Sequence, residues 1–326
     1  MSSPSLSTRT LGDQPTIGDS GHLAHSTTAA QLRPVLTPLA RIGAYVALTK
    51  PRIIELLLVT TIPTMFVAHR GVPGLWLMVA TLIGGALAAG GANAINMYVD
   101  RDIDKLMQRT QSRPLVTGAV TPRAALTFAI VIEAAAFAWL WSTVNLLSAV
   151  LAVSACLFYV FVYTLWLKRT SKQNIVIGGA AGAVPVLVGW AAVQNSLSWA
   201  PVLLFAVIFV WTPPHFWALA VKYRDDYRAA NVPMLPAVES MRYTSVRIIA
   251  YTVVLWALSL VFSPVAKMGP IYFVSAVVLG GVFLVYAVAL FRDGSVARAM
   301  RLFSYSISYV TLLFGAMALD QVIKYR

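Results

Sequence analysis

Nine continuous apolar runs, each close to the roughly 20 residues a helix needs to cross a bilayer, leave this 326-residue chain few folds to adopt. They lie at about 53–69, 75–98, 124–141, 144–167, 174–193, 199–221, 246–263, 270–291 and 303–323. The first is short and the second ends in polar residues, so eight to ten spans is the expected range. Inside lipid a backbone N–H or C=O has no water to turn to, so a spanning segment must be a helix or belong to a closed barrel. Barrel strands alternate apolar and polar residues, and these runs do not. The expected fold class is all-α, a polytopic membrane protein with about nine transmembrane helices in a bundle. The low charged fraction, 11%, against about a quarter in soluble domains, agrees.

A net charge of +13 invites a nucleic-acid reading, but the distribution of the charge argues against it. With nine spans, twenty of the 25 Lys and Arg residues fall on one side, in the segments before span one and after spans two, four, six and eight. The opposite side holds Arg70, Lys267, Lys324 and Arg326. The positive-inside rule then places the N-terminus in the cytoplasm and the C-terminus outside. Residues 1–38, rich in Ser, Thr, Pro and Gly, read as a disordered cytoplasmic tail, and 39–326 as a single transmembrane domain. Asp13 and Asp19 with few arginines fit a mitochondrial transit peptide poorly, so a bacterial plasma membrane is expected. The single cysteine, Cys156, has no intrachain partner and reads as a small packing residue.

Acidic residues number only 12, and three of them, Asp100, Asp102 and Asp104, crowd the end of span two beside Arg101, Lys105, Arg109 and Arg113. Asn96, Asp100 and Asp104 follow i, i+4, i+8 spacing, which on a helix shares one face over roughly 12 Å. Hard oxygen ligands with open positions suit Mg²⁺, which usually binds through one or two carboxylates plus substrate phosphates. The downstream arginines offer donors matched to phosphate oxygens. This pattern points to a magnesium–diphosphate site at a membrane face, with the carboxylates expected to be exposed loop groups. Solvated helix-end anchoring accounts for the basic residues but not for the aspartates.

A second cluster, Lys222, Arg224, Asp225, Asp226 and Arg228, follows span six on the same predicted side. Four helices separate the two clusters, which suggests two related four-helix halves plus one helix. His215 follows Pro213 and Pro214, a pair expected to break or kink its helix. It is either a hydrogen-bonded structural residue or a group that contacts haem iron, moves a proton or positions water. Glu133, mid-span, is either functional or protonated and hydrogen-bonded to a neighbouring helix. The run Gly178 to Ala183 reads either as close helix packing or as room for a flat substrate.

Asn96-x₃-Asp100-x₃-Asp104 with Arg109-Thr110 and Arg113-Pro114 resembles the first Asp-rich motif of the UbiA-type intramembrane prenyltransferase superfamily. Thr49-Lys50-Pro51-Arg52, Leu167-Lys168-Arg169-Thr170, Asn174 to Gly179, Thr212 to Leu219 and Tyr223 to Tyr227 with Pro233 to Pro236 resemble its haem-farnesylating branch. The resemblance runs from about residue 40 to the end. It implies nine helices holding a prenyl diphosphate with Mg²⁺ between two Asp-rich loops, with farnesyl diphosphate as donor and haem B as acceptor. It further implies that Asp100, Asp104 and Asp226 hold the metal, that Asn96, Arg109, Arg113, Lys168, Lys222 and Asp225 bind substrate, and that His215 serves the acceptor. A haem A synthase or a terminal-oxidase assembly factor is the partner such an enzyme would meet in the membrane. One departure stands out: Lys222 occupies the place of the superfamily's first Asp in the second motif, which weakens the case for a symmetric two-metal site. The nearest rival is a prenyltransferase of another acceptor, such as a quinone-precursor ring. A transporter would place its ionisable residues near the midplane, and here only Glu133 is central.

Overall fold

The computed structural model describes residues 37–325; the expected disordered tail lies almost wholly outside them. The helices are α1 (Pro38–Thr49), α2 (Pro51–His69), α3 (Leu75–Val99), α4 (Pro122–Thr143), α5 (Leu146–Leu157), α6 (Lys168–Thr170), α7 (Asn174–Gln194) and α8 (Trp199–Lys222). Two short helices follow, α9 (Arg224–Ala229) and α10 (Leu235–Val238), then α11 (Met241–Val265), α12 (Pro270–Asp293) and α13 (Val296–Lys324). No strand occurs among the described residues. Eight helices among them are long and apolar enough to cross a membrane, counting Leu146–Thr170 as one. The ninth expected span corresponds to α2, a 19-residue helix that falls outside those eight. It packs against α3, α7 and α13, so the first part of the chain meets the last and the bundle closes.

Local chemistry explains where the helices start. Thr37 and Thr121 each precede a proline at the first helical position and accept an N–H from the first turn, the arrangement that satisfies an orphan donor and presets φ. Asn145 caps α5 through the Ser148 N–H at 2.8 Å. The fourth span is continuous: α5 passes into a ten-residue π-helical stretch, Phe158–Leu167, before α6. Thr164 Oγ1 donates to the Tyr159 carbonyl five residues back, at 2.8 Å. Pi segments are usually single turns and often lie at functional sites. The Pro213–Pro214 pair does not break α8, which runs on to Lys222; the Phe209 and Val210 carbonyls lose their intrahelical donors instead.

Small residues set the helix spacing. A Cβ at Gly91 of α3 would stand 2.6 Å from Glu133 Cγ of α4, and one at Gly179 of α7 would stand 2.9 Å from Thr212 Cβ of α8. The first half of the Gly178–Ala183 run therefore serves close packing, Gly178 lying against Tyr163, while Gly182 has open space beside it. Both Glu133 carboxyl oxygens are buried, with the Cys156 thiol beside them. At the opposite end of the bundle from the Asp-rich loops, buried Asp320 of α13 accepts the Gly269 N–H at 2.6 Å and the Tyr272 N–H at 3.3 Å, capping α12 from another helix. Asp320→Ala would strand both donors. It should destabilise the protein by about 1–3 kcal/mol, read as a lower melting temperature in detergent. Asp320→Asn, which keeps one acceptor, should fall between the two; an Ala variant melting like the wild type would remove the capping role.

Candidate active site

The end of α3 keeps its helical hydrogen bonds one turn past Val99: the Asp100 N–H reaches the Asn96 carbonyl and the Asp104 N–H the Asp100 carbonyl, both at 2.9 Å. The i, i+4, i+8 face therefore survives into the loop, and it points inward. Asn96, Asp100 and Asp104 are 3%, 0% and 1% exposed, which corrects the expectation of exposed loop carboxylates. A buried carboxylate needs a cation or several donors to offset lost hydration, and each has one. Lys168 pairs with Asp100 Oδ2, and Arg113 Nη1 lies 2.6 Å from Asp104 Oδ2. Asn96 donates to Asp100 Oδ2 at 2.8 Å and to Thr164 Oγ1 at 3.1 Å. The wide π turn carries Thr164, and Lys168 directly follows it.

Lys50, in the elbow between α1 and α2, donates to Asn96 Oδ1 at 2.8 Å. Its left-handed backbone, φ 53°, turns the chain there. Asn93 Nδ2 binds the Thr49 carbonyl at 3.2 Å and pins the elbow to α3. Burial above all, with Arg113 and Lys168 nearby, pushes the Lys50 ammonium down to about 7. Arg169 grips Asp102 with two bonds of 2.7 Å, which hold that carboxylate well below the usual range. Lys50, Thr164 and Arg169 belong to the cluster but were not among the expected site residues. The first and last stood in the quoted motifs; nothing in the apolar run around Thr164 marked it.

The two Asp-rich loops meet. Asp226 Oδ2 accepts the Arg109 backbone N–H at 3.3 Å, and the Arg109 guanidinium lies 5.4 Å from the Tyr223 ring centroid. Tyr227, buried against the same loop, has its phenol pushed up by burial. Lys222 is exposed and lies over Tyr223. Asp225 is not brought to the cluster: its side chain is 81% exposed and paired with Arg228 at 3.2 Å. Successive residues on a short helix point in different directions, so α9 can aim only one of the two aspartates inward. His215 is not at the carboxylates either. It is buried between α8 and α13, its Nδ1 2.6 Å from Ser306 Oγ, stacked between Trp211 and Phe303 at 4.3 and 4.6 Å.

Among the described residues no three His, Cys, Asp or Glu side chains form a ready-made metal cage. Asp100 Oδ1 is nonetheless a buried anionic oxygen with no hydrogen-bond partner, and Asp104 and Asp226 add hard oxygens around the same loop. This donor set fits a hard divalent cation that completes its shell with substrate phosphates.

The UbiA prenyltransferase family model matches residues 57–314. A Frankia alni protein called protoheme IX farnesyltransferase is 56% identical over 87% of this chain and 99% of its own length. A protein of that name from Clavibacter michiganensis is 54% identical over 86% and 93%. In fold, the chain is similar to a solved digeranylgeranylglyceryl phosphate synthase, with TM-score 0.72, 15% identity, and coverage of 87% of this chain and 99% of the other. It is also similar to a UbiA homologue from Archaeoglobus fulgidus solved with GPP and Mg²⁺, with TM-score 0.61, 17% identity, and coverage of 84% and 99%. A match across most of the chain, joined to this buried carboxylate cluster in an all-helical bundle, makes it a multi-pass membrane protein of the UbiA prenyltransferase family.

Proposed function

We propose that the chain transfers the farnesyl group of farnesyl diphosphate to a vinyl group of haem B, giving haem O. The acceptor rests on one observation, the identity above 50% with the two protoheme IX farnesyltransferases over most of both chains. The donor half draws support from the geometry: buried carboxylates and cations converge where two loops meet. Mg²⁺ is the metal we assign to Asp100, Asp104 and Asp226; when bound, it would neutralise charge on the departing diphosphate. With nine spans, twenty basic residues on one side favour these loops and the N-terminus in the cytoplasm and the C-terminus outside, and the tail's poor fit to a transit peptide favours a bacterial plasma membrane. A haem A synthase or terminal-oxidase assembly factor is the class of partner that would receive the product.

The chain's residues have separable tasks. Breaking the bond between C1 of the farnesyl group and the diphosphate oxygen sends both electrons to the leaving group. Lys50, Lys168 and Arg113 stabilise it from one side and Arg109 from the other. Lys222, exposed at the rim, meets the diphosphate as it enters. The vinyl π electrons form the new carbon–carbon bond, and water captures the resulting cation, loses a proton and leaves a hydroxyl. Tyr159 and Tyr163, stacked at 5.4 Å beside Thr164, present ring faces that favour the allylic cation. On the acceptor side we place His215: Ser306 engages Nδ1, so Nε2 is the nitrogen that would face iron or the captured water.

Asp100→Asn should abolish haem O formation and also lower stability, because Lys168 then keeps a buried charge with a weaker partner. The double variant Asp100→Asn/Lys168→Gln should recover melting temperature without recovering turnover; recovery of both would make the pair purely structural. Arg113→Lys keeps the charge but loses the planar donor pair, and a loss of at least about tenfold in kcat/KM, about 1.4 kcal/mol, is expected. Wild-type kinetics would reduce Arg113 to packing. His215→Ala should cut haem O formation, measured by mass, while farnesyl diphosphate binding stays near normal. Lost donor binding would put His215 on the other side of the reaction.

A further inference from the structure

Beside the carboxylate cluster, and sharing only Arg169 with it, the end of α3, the loop that follows and the π stretch enclose a cleft of about 600 Å³. Its polar lining is Arg101, Lys105, Arg169 and Asp102, and its apolar walls include Leu115 and Leu165. We propose that this cleft binds an anionic phospholipid, headgroup phosphate at the cations and acyl chain along the π stretch.

Charge complementarity carries the first half of the assignment. Arg169 is committed to Asp102 through two 2.7 Å bonds and to Asp100 at 3.9 Å, whereas Arg101 and Lys105 have no carboxylate partner in an ion pair among the described residues and are surplus. Arg101 donates one N–H to the Tyr98 carbonyl at 2.6 Å and lies 4.5 Å from the Tyr98 ring centroid. That fixes the guanidinium and leaves the rest of its donors for an anion. Lys105 is exposed, and its ammonium is free to turn to the same anion.

The apolar walls argue for a lipid rather than a soluble anion. Leu165 is 48% exposed, and Phe161 and Leu157, four and eight residues earlier on the same segment, are 60% and 50% exposed. Large apolar side chains left open beside a spanning helix face hydrocarbon, and they continue the cleft downward as a track for an acyl chain. Phosphate alone gains nothing from that wall. Basic pockets between helices at the cytoplasmic surface bind lipid headgroups on this principle, each Lys or Arg contributing about 1 kcal/mol.

The test uses the full-length protein, delipidated in detergent and titrated with phosphatidylglycerol or phosphatidylcholine, with bound lipid counted by native mass spectrometry. Wild type should prefer phosphatidylglycerol at least about tenfold. Arg101→Gln/Lys105→Gln should lose that preference at unchanged melting temperature. Lys105→Gln alone, a change at an exposed side chain, should reduce it about fivefold. Equal preference in wild type and variants would overturn the site. So would displacement of the lipid by inorganic phosphate, the mark of a soluble-anion site. Displacement by haem B, with haem affinity rather than lipid affinity falling in the variants, would also overturn it and give the cleft to the acceptor's carboxylates.

Discussion

Two carboxylates with almost no exposure, Asp100 and Asp104, set the terms for everything around them. Moving a carboxylate out of water costs several kcal/mol even after relaxation, and it stays charged only where cations are held close. That requirement explains why three separated segments converge at the end of α3: the α1–α2 elbow brings Lys50, α6 brings Lys168 and Arg169, and the long loop brings Arg113. Lys168 and Arg113 already pair with Asp100 and Asp104, and Lys50, lowered first by its burial and then by those two cations, is held by Asn96 instead. Fixed positive charge beside a carboxylate oxygen that has no hydrogen-bond partner among the described residues, only the Arg169 guanidinium at 3.9 Å, suits a polyanion that brings a divalent cation with it. A site built only for stability would have balanced its charges or used apolar residues instead.

The second loop depends on the first. Asp226 reaches across to the Arg109 backbone while Tyr223 lies under the Arg109 side chain, so binding of a diphosphate would act on both loops at once. His215 stands apart, tied to Ser306 on the last helix, and the separation suits a reaction with two unlike substrates. Charge is gathered at the two Asp-rich loops, and under the proposed function the acceptor would meet His215 among the aromatics between α8 and α13.

Hydropathy located eight of the nine expected spans, because a continuous apolar run without strand alternation satisfies its backbone in lipid as a helix; α2, the ninth, is a helix that falls outside those eight. The Asn96–Asp100–Asp104 spacing located the core of the candidate site, because the helix persists through it. What the sequence hid has physical reasons. Burial of Asp100 depends on Lys168, 68 residues away, and the Asn96 beside it is held by Lys50, 46 residues away; no local pattern encodes such distances. The π stretch is uniformly apolar, so periodicity is silent there, and with it the contribution of Thr164. Asp225 and Asp226 are adjacent and chemically identical; only the direction of α9 separates the inward from the outward one. The Pro213–Pro214 pair breaks a rule of isolated helices that packing against α7, α11 and α13 overrides.

The most direct test of the carboxylate cluster as a metal–diphosphate site is calorimetric binding of a non-cleavable farnesyl thiodiphosphate to the wild-type protein, with and without Mg²⁺. The charge arrangement predicts binding that is strong with the ion and weaker by at least about tenfold after chelation. Equal affinity in the two conditions would contradict it and leave the cations alone as the diphosphate site.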